Sequence, residues 1–129
     1  MYHTSTFRIY YEDTDAGGIV YYANYLKFAE RARTEWLRER GFEQEAMRRE
    51  TGIIIVVRRC ECDFLAPAKL DDILVIETRF HDIGKVRMTM QQVIKRAEKT
   101  LVTLSVELAC IDILGKPVRW PKEMIDAFV

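Results

Sequence analysis

The spacing of apolar residues changes once along the chain, and that change dictates the architecture. Between residues 22 and 40, Tyr22, Tyr25, Leu26, Ala29, Ala32, Trp36 and Leu37 recur at helical intervals, while Lys27, Glu30, Arg31, Thr34, Arg38 and Glu39 lie off that stripe. The pattern predicts one long amphipathic helix ending at Gly41. Beyond residue 53 the period falls to two. Ile54, Val56, Cys60, Cys62 and Phe64 share a strand face if the strand carries no bulge, and Leu74, Ile76 and Phe80 alternate with Glu77 and Arg79. Ile83-Gly84-Lys85 turns the chain into Val86, Met88 and Met90; a tight turn at Glu98-Lys99 leads to Val102, Leu104, Val106, Leu108 and Cys110. A short β-like run at 7–11 precedes the helix, and Pro121 opens a terminal helical turn reaching Phe128. The order is β, long α, then four strands in hairpins, an α+β pattern with an antiparallel sheet against one helix. Strands of about a dozen residues span ~40 Å whereas the helix spans ~28 Å, so the sheet must curve around it.

Apolar surface exceeds what that helix can cover. Ile53, Ile55, Val57, Ile73, Val75, Leu101 and Ile111 fall on the opposite strand face, which predicts contact with another subunit and a homodimer or homotetramer. A length of 129 residues fits a single domain, 1–129. Twenty Lys plus Arg balance twenty Asp plus Glu, so no global field draws in nucleic acid. Three cysteines, no charged-then-apolar leader at the start, and no apolar run beyond residues 52–57 predict a cytoplasmic protein without a disulfide framework.

The inventory of reactive side chains is short. The only histidines are His3 and His81, and the only serines Ser5 and Ser105, which argues against a Ser-His-Asp site. His3 is expected on a frayed terminus and His81 at the surface beside Asp82. Cys60-Glu61-Cys62 lacks the usual zinc or redox spacing and is read as core packing, leaving no metal site. The acidic turn Glu12-Asp13-Thr14-Asp15-Ala16-Gly17-Gly18 stands apart, because it follows a strand and precedes a helix. A Ca²⁺ loop would need a bidentate Glu where Asn24 stands. A phosphatase-like Asp-x-Asp nucleophile would need parallel βαβ units, which the hairpins exclude. Two readings remain: a turn that caps the helix, or a carboxylate facing unpaired helix N–H groups that can polarise a carbonyl.

The run from Tyr10 through Tyr11, Glu12, Asp13, Thr14, Asp15, Ala16, Gly17, Gly18, Ile19, Val20, Tyr21 and Tyr22 to Ala23-Asn24-Tyr25-Leu26, continued by Glu30-Arg31-Ala32-Arg33-Thr34-Glu35, resembles the signature of hot-dog-fold acyl-CoA thioesterases. The likeness is to the subgroup found beside the Tol-Pal genes and related to 4-hydroxybenzoyl-CoA thioesterase. It extends through Val56-Val57-Arg58-Arg59, Ala66-Pro67-Ala68, Asp71-Asp72, Gly84 and Pro117 to Pro121. The resemblance implies a five-stranded sheet wrapped around one long helix, paired into dimers with the active sites at the interface, and no cofactor. It implies Asp15 as the catalytic base or nucleophile, the backbone N–H of Tyr22 as the carbonyl polariser, and a supporting Tyr11. Arg58, Lys85 and Arg87 fall where the family holds the nucleotide end of CoA, where basic groups suit phosphates; solvated charge is the other reading. Tyr22 departs from the histidine common in the subgroup. A rival reading is a non-catalytic acyl-CoA or acyl-carrier-protein binding module that scaffolds partners near the inner membrane. Arg33 falls inside the apolar arc of the helix, and is expected to snorkel or to meet Glu61 or Glu107 at an interface.

Overall fold

The computed structural model describes residues 2–128. Strand β1 (Tyr2–Arg8) leads through a 3₁₀ turn at Tyr11–Asp13 into helix α1 (Asn24–Glu39), followed by α2 (Gln44–Thr51), β2 (Ile54–Phe64), β3 (Ile73–Ile83), β4 (Arg87–Arg96), β5 (Lys99–Ile111) and α3 (Lys122–Phe128). The five strands form one antiparallel sheet in the order β1-β3-β4-β5-β2. Helix α1 lies against its inner face, burying Tyr25, Phe28, Ala29, Ala32, Trp36 and Leu37 on Leu74, Ile76, Met90, Ile94, Leu104 and Val106. This is the antiparallel sheet around one helix that the sequence pattern predicts, and the hot-dog architecture that the resemblance implies. Both α1 and the sheet need the other's apolar face, and most of the helix's stability comes from that burial. Trp36, Phe80 and Phe128 close one end of the core, with ring centroids 4.4 to 5.1 Å apart.

Several boundaries differ from the sequence reading, each for a local reason. The first strand covers Tyr2–Arg8, because Ile9 exchanges backbone bonds with Asp71 and Asp72 and the chain then folds into the 3₁₀ turn. His3 is therefore not frayed; it is 7% exposed, stacks on Trp36 and lies 3.2 Å from Glu39. Helix α1 starts at Asn24, two residues after Tyr22, since the Asn24, Tyr25 and Leu26 amides bond three residues back and tighten the entry into a 3₁₀-like turn. Helix α2 is additional: only Met47 is buried in it, so it carries almost no apolar period, and Gly52 terminates it with φ +75°.

Strand β2 does carry a bulge. The register against β5 slips between Val57 and Arg59, leaving Arg58 without an opposite residue. The slip puts Ile55 and Val57, rather than Ile54 and Val56, on the face shared with Cys60, Cys62 and Phe64. Leu101 sits at a second slip and is fully buried, so it is not part of an outer apolar face. Cys62, half-buried at the sheet edge, packs against the core as expected, whereas Cys60 is exposed; their sulfurs lie 3.5 Å apart.

Candidate active site at the acidic turn

The two aspartates of the turn do different work. Asp13 is structural: Oδ2 accepts the Tyr10 amide at 2.8 Å, and its carbonyl accepts the Tyr21 amide at 3.0 Å and Asn24 Nδ2 at 2.9 Å. Asp13 thus ties the 3₁₀ turn to the start of α1. Asp15 is exposed, and its side chain accepts one bond, from the Gly17 amide to Oδ1 at 2.8 Å. A Cβ on Gly17 would lie 3.1 Å from that oxygen, so a larger residue there would displace the carboxylate by a few tenths of an ångström. Oδ2 has no donor among the described residues and faces solvent chemistry unencumbered.

The turn is held against the loop between β2 and β3. Asp15 N donates to Ile19 O, and Val20 N donates to Ala68 O, both at 2.9 Å. Tyr25, 3% exposed, accepts the Ala68 amide on its hydroxyl at 3.1 Å, and burial pushes its phenol above the ordinary value. Asp72 then clamps this loop to the end of β4: Oδ2 accepts Lys69 N at 2.8 Å and Arg96 Nη1 at 2.6 Å. Burial alone would raise the Asp72 carboxyl, but the Lys69 amide and the Arg96 guanidinium outweigh it and lower it. Asp72, Arg96 and Asn24 are positioning residues that periodicity does not single out, although Asn24 and Asp72 lie within the quoted likeness.

Tyr22 stands at the last turn before α1. Among the described residues its amide has no acceptor, because the neighbouring Tyr21 and Asn24 amides take the local carbonyls. Its ring, 61% exposed, meets Phe64 edge-on at 5.8 Å, joining the turn to the end of β2. The structure thus brings Asp15 and Tyr22 to one short segment. Tyr11 lies at the 3₁₀ turn, 82% exposed, with its carbonyl accepting the Thr14 amide and hydroxyl.

The three cations fall elsewhere. Arg58 Nη1 and Arg87 Nη1 flank Glu107 at 3.2 and 3.7 Å, and Lys85 is exposed in the β3–β4 turn. The acidic turn is anchored near the start of β3 and the β3–β4 turn follows its end, so the length of β3, roughly 30 Å, separates them within one protomer. Within the protomer Arg33 bonds Gln92 rather than Glu61, which pairs with Arg59, or Glu107.

Residues 17–103 match the family model of the thioesterase superfamily. The chain is 45% identical over 123 residues to the acyl-CoA thioesterase YbgC of Haemophilus influenzae, covering 94% of this chain and 90% of that one. It is 44% identical over 123 residues to the acyl-CoA thioester hydrolase YbgC of Escherichia coli O6:H1, covering 94% and 91%. The crystal structure of a probable thioesterase from Bartonella henselae superposes with a TM-score of 0.89 at 40% identity, over 94% of this chain and all of that one. On fold, site geometry and sequence together, the chain belongs to the thioesterase superfamily, as a hot-dog-fold acyl-CoA thioesterase.

Proposed function

We propose that hydrolysis takes place at the acidic turn, with Asp15 as general base or nucleophile and the Tyr22 backbone N–H polarising the thioester carbonyl. The observation that carries this reading is the pairing, within eight residues, of an exposed carboxylate having one unpaired oxygen with an amide lacking an acceptor. As base, Asp15 takes a proton from water while the water oxygen bonds the carbonyl carbon. The C–S bond then breaks, and the CoA thiolate recovers the proton. As nucleophile, Asp15 bonds the carbonyl carbon and the C–S bond breaks, expelling the CoA thiolate; water then opens the anhydride and its proton goes to the thiolate. In single-turnover hydrolysis in ¹⁸O-water, label in Asp15 marks this route, through attack of water on the aspartyl carbonyl. In either route the carbonyl oxygen becomes more negative, and a donor fixed beforehand stabilises it.

The site is read as shared between two copies. Strand β2 is a sheet edge of 11 residues, with Val57 and Phe64 about half exposed along it. An unpaired edge of this length invites antiparallel pairing with a second β2. Such pairing sets the Arg58 end of one strand beside the Phe64 end of the other and carries Arg58, Lys85 and Arg87 toward the opposite Asp15 turn. Three cations against the single Glu107 carboxylate suit the phosphates of CoA. Tyr11, nearly free in solvent, supports the bound thioester from the outside.

The backbone assignment is tested by two substitutions at one position. Tyr22→Phe keeps the N–H and is expected to retain most activity. Tyr22→Pro removes it and is expected to lose on the order of a hundred- to a thousand-fold in kcat, the usual effect of deleting one oxyanion donor. Equal damage from both, in protein that circular dichroism shows to be folded, would move the role to the phenol and refute the assignment.

A further inference from the structure

Arg33 is a buried charge with a single hydrogen-bond partner. It is 8% exposed, and Nη1 donates to Gln92 Oε1 at 3.0 Å. No carboxylate among the described residues forms an ion pair with it. Glu30, one turn away, accepts the Thr34 hydroxyl at 2.9 Å instead. A guanidinium carries five donors in a fixed fork, so four of them are uncommitted. Gln92 cannot turn to serve them, because Nε2 is held by Ala29 O and Thr78 Oγ1, each at 3.0 Å. Burial lowers the Arg33 pKa, and the nearby Glu30 carboxylate offsets that only in part.

Arg33 borders a cleft of about 470 Å³ between α1 and β2, whose apolar walls are Leu26, Val57, Cys60 and Val106. Leu26 lies in the first turn of α1, four residues after Tyr22, and the cleft runs along the helix from there to Arg33. Nine residues separate Asn24 from Arg33, or ~13 Å of helix, and the Arg33 side chain leans back toward the amino terminus. Lys27, Glu30 and Arg31 line the cleft as well, so its apolar walls carry three cations, Arg33 among them, against one carboxylate, the form of a small-molecule site for an anion.

We infer that this cleft takes the acyl chain and that Arg33 selects acyl groups bearing an oxygen acceptor, above all a carboxylate, at the end remote from the thioester. The preferred substrates are then mono-CoA thioesters of dicarboxylates of intermediate length, whose free carboxylate meets the uncommitted donors of Arg33 and the excess of cations over Glu30 in the cleft. This rests on the placement of the thioester at Asp15 and Tyr22.

The test compares matched chains, adipyl- with hexanoyl-CoA and suberyl- with octanoyl-CoA. Thiol release gives kcat/KM for wild type, Arg33→Met and Arg33→Lys, and calorimetric titration of the same four ligands into Asp15→Asn gives their affinity without turnover. Wild type is expected to favour the carboxylate in at least one pair by tenfold or more. Arg33→Met should abolish that preference, at a loss of roughly 10- to 100-fold for the diacid thioester, with Arg33→Lys restoring part of it. Preference for the alkyl chain in both pairs would overturn the inference, as would a ratio unchanged in Arg33→Met. If Arg33→Met converts the protein to monomer and leaves the ratio intact, the guanidinium serves the subunit interface and the inference is wrong. Absence of all hydrolysis together with a tenfold diacid preference in binding would refute the thioesterase chemistry while upholding the role of Arg33.

Discussion

Gln92→Leu removes a fully buried amide that joins β3, β4 and α1, and its cost follows from the bonds it makes. Loss of the acceptor for the charged Arg33 costs about 1.5–3 kcal/mol, and the bonds to Thr78 Oγ1 and Ala29 O about 0.5–1.5 kcal/mol each. The added apolar contact of leucine offsets about 1–2 kcal/mol. The net expectation is a destabilisation of roughly 2–4 kcal/mol, or a fall in Tm on the order of 10 °C. Urea unfolding followed by circular dichroism, at matched protomer concentration, measures it. Arg33→Leu in the same background should recover part of the loss, with a coupling of about 1 kcal/mol or more, because the stranded charge is then gone. A destabilisation below about 1 kcal/mol, or strict additivity of the two changes, would refute the reasoning and show that Arg33 is satisfied without Gln92.

Ala97 has φ +52° in the β4–β5 turn, so Ala97→Gly is expected to stabilise the fold by about 0.5–1 kcal/mol in thermal unfolding. The Asp72 carboxyl is lowered in the folded state, so its contribution is complete above its unfolded pKa of about 4 and is lost as pH falls through the lower folded value. Asp72→Asn should accordingly weaken the protein at pH 7 and flatten the acid side of its stability curve below about pH 4; an unchanged acid limb would contradict the clamp. Sedimentation at micromolar concentration is expected to give a dimer or larger species, and a fully active monomer would contradict the shared site.

The fold was legible wherever one side of an element is buried. The 3.6-residue stripe from Tyr25 to Leu37 and the alternation from Val102 to Cys110 each reflect a face pressed on the same core. Helix α2 left no such imprint, since Met47 alone reaches the interior; helix-forming residues ahead of Gly52 were its one local signal. The bulge at Arg58 was hidden because residues 53–57 are apolar without interruption, so parity cannot be read across them. At the site, Asp15 was legible as one of two aspartates in a glycine-rich turn. Its division of labour with Asp13 was not, because it depends on which oxygens meet the Tyr10, Tyr21 and Gly17 amides. Arg33 looked like a snorkelling side chain; only the position of Gln92 across the core shows it held inside.

The most direct test of hydrolysis at the acidic turn is thiol release from acyl-CoA by Asp15→Asn. The substitution keeps the size of the side chain and its acceptor for the Gly17 amide, and removes the charge that accepts a proton or attacks the carbonyl. A loss of roughly a hundred- to ten-thousand-fold in kcat, with KM nearly unchanged, is the predicted result. Turnover as fast as wild type would contradict it, as would wild-type protein that binds acyl-CoA of every chain length without cleaving any, the behaviour of a binding module.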